Sequence, residues 1–459
     1  MNLDGSQQNS RPGPHEGGNL NEVAAPPPVY DQSEKSVRLN DYLEHQPECS
    51  SQISPRDTRN EPVGPDDAQN PDEDPQEKHP KLRCISKFLQ TTYIVSYLVL
   101  LSMIGTLLRI VIECLTFYPG APVNTSVLWA NVGGSMIMGF LSEDQELFQF
   151  ESVKTSIPGH VKNDPSQRAA HIKAHKKTVP LFIGLTTGFC GSLTSFSTFM
   201  RDVFLALSNN PVVPNGPYHE VSLFASGSAS LKSPNGGFSF MSILAVLFTE
   251  IGLSLAGLFL GAHIAVGLSQ WTPSLPQVWL RKYLDPFSAI LAWLSWILII
   301  CLVALLPQDH GTTTLWSPNT WRGPFLFSLV FAPVGCLTRF YISLKLNSRI
   351  IGFPLGTFAV NILGTMVLGM AYSIQHATVS TSQLTIGGIT GCEVLEGIMD
   401  GFCGCLTTVS TWVLELSDLR RQHAYVYGSV SVAVALCFLV IEIGSLQWTR
   451  GLATPVCFR

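Results

Sequence analysis

Gly188-Phe-Cys-Gly-Ser-Leu-Thr-Ser-Phe-Ser-Thr-Phe199 lies inside one apolar segment and returns as Gly401-Phe-Cys-Gly-Cys-Leu-Thr-Thr-Val-Ser-Thr-Trp412 inside another. Gly, Ser and Thr with so few large aliphatics make a poor lipid-facing helix, because backbone groups in a bilayer must find partners without water. The stretch reads as the break of a discontinuous helix lining a site, and the chain carries it twice.

The composition around it is that of a membrane protein. Charged residues make up 13% of the 459, about half the roughly 25% usual in soluble domains. The net charge of −5 gives no basic surface for nucleic acid. No Walker loop, nucleophile elbow or metal-hydrolase signature occurs, so an enzyme is not expected. The eleven Cys form no CxxC pair and read as small buried hydrophobes. Residues 1–80 are rich in Pro, Asn, Gln, Asp, Glu and Ser and bury too little apolar surface to fold, which predicts a disordered cytoplasmic tail, with a regulatory or trafficking role as the alternative.

Nine hydrophobic segments of spanning length follow: Thr92 to Leu115, Pro122 to Leu141, Val179 to Leu207, Phe240 to Leu268, Pro286 to Leu306, Pro324 to Leu346, Pro354 to Ile374, Leu384 to Leu416 and Ala424 to Leu446. The third and eighth, which hold the repeated stretch, exceed the roughly 20 residues a straight helix needs. Lys and Arg concentrate in the even-numbered loops: Lys154, Lys162, Arg168, Lys173, Lys176 and Lys177, then Arg281 and Lys282, Arg349, and Arg420 and Arg421. Odd-numbered loops hold Lys232 and Arg322. The positive-inside rule therefore puts the N-terminus inside and the C-terminus outside.

The halves repeat. Gly105-Thr-Leu-Leu-Arg109 matches Gly335-Cys-Leu-Thr-Arg339, Asn131-Val-Gly-Gly matches Asn361-Ile-Leu-Gly, and Glu250-Ile-Gly recurs as Glu442-Ile-Gly. The expected fold is an all-α polytopic membrane protein with one four-helix repeat over 92–268 and a second over 324–446. Four crossings would leave two directly joined units parallel; the unmatched segment 286–306 adds one crossing and inverts the second. Inverted repeats place broken helices at mid-membrane in many transport proteins.

Several residues carry chemistry. Asn131 and Asn361 offer NH2 donors to an anion, or glue helices together by hydrogen bonds. Arg109 falls toward the external side and Arg339 toward the cytoplasm, to attract anions into vestibules or to cap carbonyls. Phe196 and Phe199, three apart on one helical face, present positive ring edges or are core. Ser195, Ser197, Thr194 and Thr198 supply hydroxyls that serve an ion or bond back to their own backbone. Unwound carbonyls around Gly191, Thr194, Gly404 and Thr407 suit a small cation. Glu250 and Glu442 read as proton carriers or as structural carboxyls. His171-Ile-Lys-Ala-His175 has zinc-ligand spacing without further ligands, and Asn124-Thr-Ser126 is a glycosylation sequon close to the membrane.

On the Gly-Phe-Cys-Gly stretch, the segment-1 Arg and the segment-2 Asn, residues 92–446 resemble the fluoride channel family called Fluc or CrcB, in particular its fused two-domain eukaryotic members, the fluoride exporters called FEX. The resemblance implies a passive fluoride-selective channel in the plasma membrane, with one chain acting as a monomeric pseudo-dimer. Its fluoride path would include Asn131, Phe196, Phe199, Ser197, Thr198, Asn361, Ser410 and Thr411, with vestibules at Arg109 and Arg339. A structural central Na⁺ would rest on carbonyls of Gly191, Thr194, Gly404 and Thr407. The second copy departs from the family pattern with Val409 and Trp412, and with Glu393, Glu396 and Asp400 before the break. Unequal pores follow, with Trp412 mattering less than the Phe pair. The alternatives are a proton-coupled transporter of a small solute, resting on Glu250 and Glu442, and a membrane scaffold.

Overall fold

The computed structural model describes residues 87–118, 123, 125–148, 172, 175–209, 236–306, 322–350, 352–377 and 388–453. The tail, Asn124, His171 and, of the charges used for orientation, Lys154, Lys162, Arg168, Lys173 and Lys232 lie outside the described residues. Among the described residues every regular element is helical. They are α1 (Lys87–Thr116), α2 (Leu128–Glu143), α3 (180–193), α4 (Phe196–Leu207), α5 (Gly236–Gly267), α6 (Gln277–Leu305), α7 (Arg322–Leu346), α8 (Leu355–His376), α9 (388–406), α10 (Ser410–Asp418) and α11 (Arg421–Thr449).

Seven helices are long and apolar enough to cross a membrane: α1, α5, α6, α7, α8, the α9–α10 unit and α11. Two of the nine expected segments fall short as single helices. The 16 residues of α2 rise only about 24 Å, and the third segment is divided between α3 and α4 by extended backbone at Thr194 and Ser195. Outward faces carry Phe248, Phe287, Ile290, Leu294 and Ile441 largely exposed, which suits contact with lipid, and the chain is a multi-pass membrane protein.

Contacts give the helix directions. Gly184 lies against Tyr97, Gly188 against Leu101, and Gly105 against Phe189 and Ser192, so α3 advances alongside α1. Gly257 meets Val132 and Gly261 meets Met136, so α5 advances alongside α2. The second half repeats both pairings: Gly397 and Gly401 lie on Phe327 and Ser328, and Gly335 on Phe402 and Leu406. Phe353 packs on Tyr427, and Gly369 on Leu439. The spare helix α6 is fastened to both halves. Tyr97 donates to Asp285 at 3.0 Å and Trp293 to Ser96 at 3.2 Å, while Trp296 donates to the carbonyl of Val330 at 3.1 Å and Arg322 to that of Val303 at 2.7 Å.

Two charges expected to mark loops are structural instead. Lys176 is buried and donates to the carbonyls of Leu141, Ser142 and Asp144, closing the C-terminal end of α2, where a cation meets the helix dipole. Arg322 is buried 3.7 Å from Glu393. Cys392 is disulfide-bonded, and of the seven other described cysteines, all free, Cys114, Cys301 and Cys437 are exposed, so the reading of small buried hydrophobes holds for Cys190, Cys336, Cys403 and Cys405.

Candidate functional site

Each repeated stretch begins as a helix that widens to π-type bonding, over Gly184–Cys190 in one copy and Ile398–Cys403 in the other. Each then unwinds at a threonine, with Thr194 at φ −97°, ψ 146° and Thr407 at φ −93°, ψ 158°. A helix so interrupted leaves backbone N–H and C=O groups without intrahelical partners, and burial obliges other groups to take them up.

Asparagine takes one set within each repeat. Asn131 Oδ1 accepts from the Ser195 N–H at 2.9 Å, and Asn361 Oδ1 from the Thr408 N–H at 2.9 Å. Threonine takes the next set across the repeats. Thr194 Oγ1 accepts from the N–H groups of Val409 and Ser410, both at 3.2 Å, and Thr407 Oγ1 from that of Ser197 at 3.1 Å. Ser410 Oγ reaches the Cys190 carbonyl at 3.2 Å, and Ser197 Oγ lies 3.0 Å from Thr407 Oγ1. Ser197 and Ser410, expected along a fluoride path, are therefore committed to this clasp. Thr198 Oγ1 accepts from Ser195 Oγ at 2.9 Å, and the Thr411 N–H donates to Thr408 Oγ1 at 3.4 Å.

Arginine takes the freed carbonyls, mainly across the repeats. Arg339 donates to the carbonyls of Gly191 at 2.6 Å, Thr187 at 2.5 Å and Thr407 at 3.4 Å. Arg109 donates to the Asp400 carbonyl and lies flat on Gly404, as Arg339 lies on Gly191. A Cβ at either glycine would overlap the guanidinium. Both arginines are buried, so they sit at the breaks rather than in open vestibules: the widened turns supply carbonyls that a five-donor fork can satisfy. The sodium expectation meets the same geometry. Two of the four expected carbonyls already accept from Arg339, and Arg109 covers a third residue, so the set does not fit a further cation in this arrangement.

The amide NH2 groups separate the halves. Asn131 Nδ2 donates to Glu250 Oε2 at 3.0 Å, whereas Asn361 Nδ2 reaches only the Thr408 carbonyl, at 3.2 Å. One turn beyond Asn131 and Glu250 stand Ser135 and Ser254, and the hydroxyls of both, with Glu250 Oε1, are buried without a partner among the described residues. Each such group costs roughly 1–3 kcal/mol unless something meets it. Glu442 is not the counterpart of Glu250. Gly139 and Gly369 match at the offset of 230; Gly139 meets Leu258 and Gly369 meets Leu439, which sets Glu250 opposite Ser431. Glu442 lies beside Gly369, about 16 Å further along its helix than Ser431. The matching Glu-Ile-Gly triplets fall out of register because α5 and α11 enter their repeats at different heights.

Phe196 meets Phe199 edge-on with ring centroids 5.7 Å apart, and also meets Trp412 of the other repeat at 5.3 Å. The α10 helix carrying Trp412 packs on α2 and α5, while α4 packs on α8 and α11 as well as on α5 of its own repeat. Asn131, Phe196, Trp412 and Glu250 thus belong together, and by the repeat offsets and the glycine register their counterparts are Asn361, Val409, Phe199 and Ser431. The carboxylates before the second break, expected to repel anions, have partners: Glu393 faces Arg322, Glu396 accepts from Gln375 at 2.8 Å, and Asp400 has Arg109 and Arg201 as its nearby cations.

Sequence reading missed Asp202 and Glu415, which match at the offset of 213. Asp202 Oδ2 accepts from the N–H and Oγ of Ser126, both at 2.9 Å, and Glu415 from Thr357 at 2.6 Å and Tyr427 at 2.7 Å. Each holds the start of the second helix of its repeat, and the shared offset was the available signal.

Residues 96–262 and 326–444 match the family model described as CrcB-like protein, Camphor Resistance (CrcB). The chain is 44% identical over 392 residues to Fluoride export protein 1 of Neurospora crassa, covering 82% of this chain and 71% of that relative. It is 28% identical to Fluoride export protein 1 of Saccharomyces cerevisiae, covering 77% and 93%. A bacterial relative, the Fluoride-specific ion channel FluC of Acinetobacter baylyi, is 32% identical over 121 residues, 26% of this chain and 88% of its own. No solved structure matches. With the matched residues falling on both clasped units, the chain belongs to the CrcB family.

Proposed function

We propose that this protein is a fluoride-selective passive channel of the plasma membrane that lets F⁻ leave the cytoplasm. The observation that carries the reading is the pair of broken helices, buried among apolar spans, whose freed groups are met by amides, hydroxyls and guanidinium ions. The names of its relatives, fluoride export protein and fluoride-specific ion channel, support the same conclusion.

The proposed topology has nine crossings, with α2 and α3–α4 as the second and third. In each repeat the first and third units run parallel, as do the second and fourth, and the chain must cross back between members of such a pair. The two repeats are inverted. Supporting this, Tyr97 with Asp285 and the cluster of Val99, Met103 and Ala292 run α6 alongside α1, whereas Trp296 with Val330 and Arg322 with Val303 run it against α7. Reciprocal contacts between the repeats, each threonine and arginine serving the other copy, are what a two-fold axis produces. A single chain then carries both halves as a monomeric pseudo-dimer.

Neutral HF enters a cell and ionises, so an open anion path suffices for export. A negative interior adds roughly 2.3 kcal/mol per charge for each 100 mV. The Asn131 set conducts, since it alone has unpaired buried polar groups in line, two aromatic rings and a free carboxyl oxygen. The buried guanidinium ions give the fixed positive charge that favours an anion at mid-membrane. Glu250 on Asn131 favours one other reading, proton-coupled transport.

Efflux from liposomes holding the purified chain, under a potassium gradient with valinomycin, tests these. Electrogenic F⁻ movement with little Cl⁻ movement is expected. Flux that requires a pH gradient and disappears in Glu250→Gln would replace the channel by the coupled transporter, and no anion flux at all would leave a scaffold.

A further inference from the structure

We infer that Trp412 is a hydrogen-bond donor to the permeating anion, so that the second copy's departure from phenylalanine adds a polar group to the conducting path. The inference rests on the channel reading and extends it to a residue that the sequence reading expects to matter less than the Phe pair. Trp412 is 1% exposed and among the largest fully buried side chains. Its ring meets Phe196 edge-on across the repeats, at 65° between planes, and its helix packs on α2 and α5, which carry Asn131 and Glu250. Its Nε1–H has no acceptor among the described residues, although buried donors are nearly always paired.

The chemistry of the group narrows the ligand. An indole N–H donates and never accepts, so it has nothing to offer a cation. A hydrogen bond to an ion is shorter and stronger than one between neutral groups, and fluoride, the smallest halide, gains most from it. Phe199, at the matching place of the other copy, has a ring edge and no N–H. The path through Asn131 therefore combines an amide, a ring edge and an indole donor, and the path through Asn361 lacks the last.

Two readouts on the full chain test this. In ¹⁵N-indole-labelled protein in nanodiscs, the signal missing from Trp412→Phe is expected to shift on titration with NaF and to stay still with NaCl. Should Trp412→Phe not fold, Phe196→Leu identifies the same signal by displacing its ring neighbour. In liposomes, Trp412→Phe keeps an aromatic ring and is expected to slow F⁻ efflux at least tenfold, while Phe199→Leu slows it less. An indole signal that fluoride leaves unmoved, or efflux equal to the parent in Trp412→Phe, overturns the donor. The outcomes separate the two claims: parent efflux with a still indole removes the donor and keeps the channel, whereas a fluoride-shifted indole without parent efflux keeps the donor and removes the channel.

Discussion

In the first repeat the amide of Asn131 meets Glu250, and Ser135 and Ser254 stand a turn further on with unpaired hydroxyls. In the second the amide of Asn361 turns back on Thr408, while Thr365 and Ser431 close on the carbonyls of Asn361 and Tyr427, each at 2.7 Å. The backbone frames are alike, down to the 2.9 Å bond from each break to its asparagine. The comparison teaches that the two jobs of asparagine come apart by atom. Its Oδ1 holds the break in both copies, and its Nδ2 faces a polar line in one.

The sharpest way to break this comparison is to change one atom. Asn131→Asp keeps an oxygen for the Ser195 N–H and removes the NH2 donor, adding negative charge beside Glu250. Fluoride efflux should fall at least a hundredfold, with the protein still folded in gel filtration. Asn361→Asp should cost no more than a few-fold. Equal losses would mean that both paths conduct, and the inequality drawn from the unpaired groups would be wrong.

Much of this frame was legible in the sequence, because small residues repeated at a fixed offset report backbone geometry. The Gly-Phe-Cys-Gly copies located both breaks, and the offset of 230 found both arginines and both asparagines. What the sequence concealed was partnership across the repeats. Offsets match Phe196 to Val409 and Phe199 to Trp412, but folding pairs Phe196 with Trp412, since α10 reaches across onto α2 and α5. Glu250 and Glu442 misled for a related reason: three identical letters outweigh a register that only the packing of Gly139 and Gly369 reveals. The charged residues before the second break looked like obstacles because sequence does not display Arg322 reaching Glu393 from another segment.

That ion pair is the second difference between the halves, as the first repeat has Pro180 where the second has Glu393. Arg322 also donates to the end of α6 through Val303 and lies over the ring of Phe327, so it fastens the spare helix to the second repeat. Removing one partner of a buried pair strands the other charge, at a cost of about 3–5 kcal/mol. Arg322→Met should accordingly lower the thermal unfolding midpoint in detergent by several degrees. Arg322→Met with Glu393→Leu should recover most of it, because apolar replacement of both partners removes the stranded charge. If the double variant is no more stable than the single one, the carbonyl of Val303 rather than Glu393 is what Arg322 serves.

The smallest effect concerns what the halves share. Arg339 occupies the carbonyls of Gly191 and Thr407, and Arg109 covers Gly404, so the centre of the clasp already holds two positive charges. A sodium ion there would face both at close range in a medium that screens poorly. Purification and reconstitution with potassium or N-methylglucamine in place of sodium should leave both the fluoride efflux rate and the unfolding midpoint unchanged. Loss of either on sodium removal, restored by adding sodium back, would mean that the guanidinium ions withdraw to admit a metal, and the two breaks would then be joined by an ion instead of by the protein's own arginines.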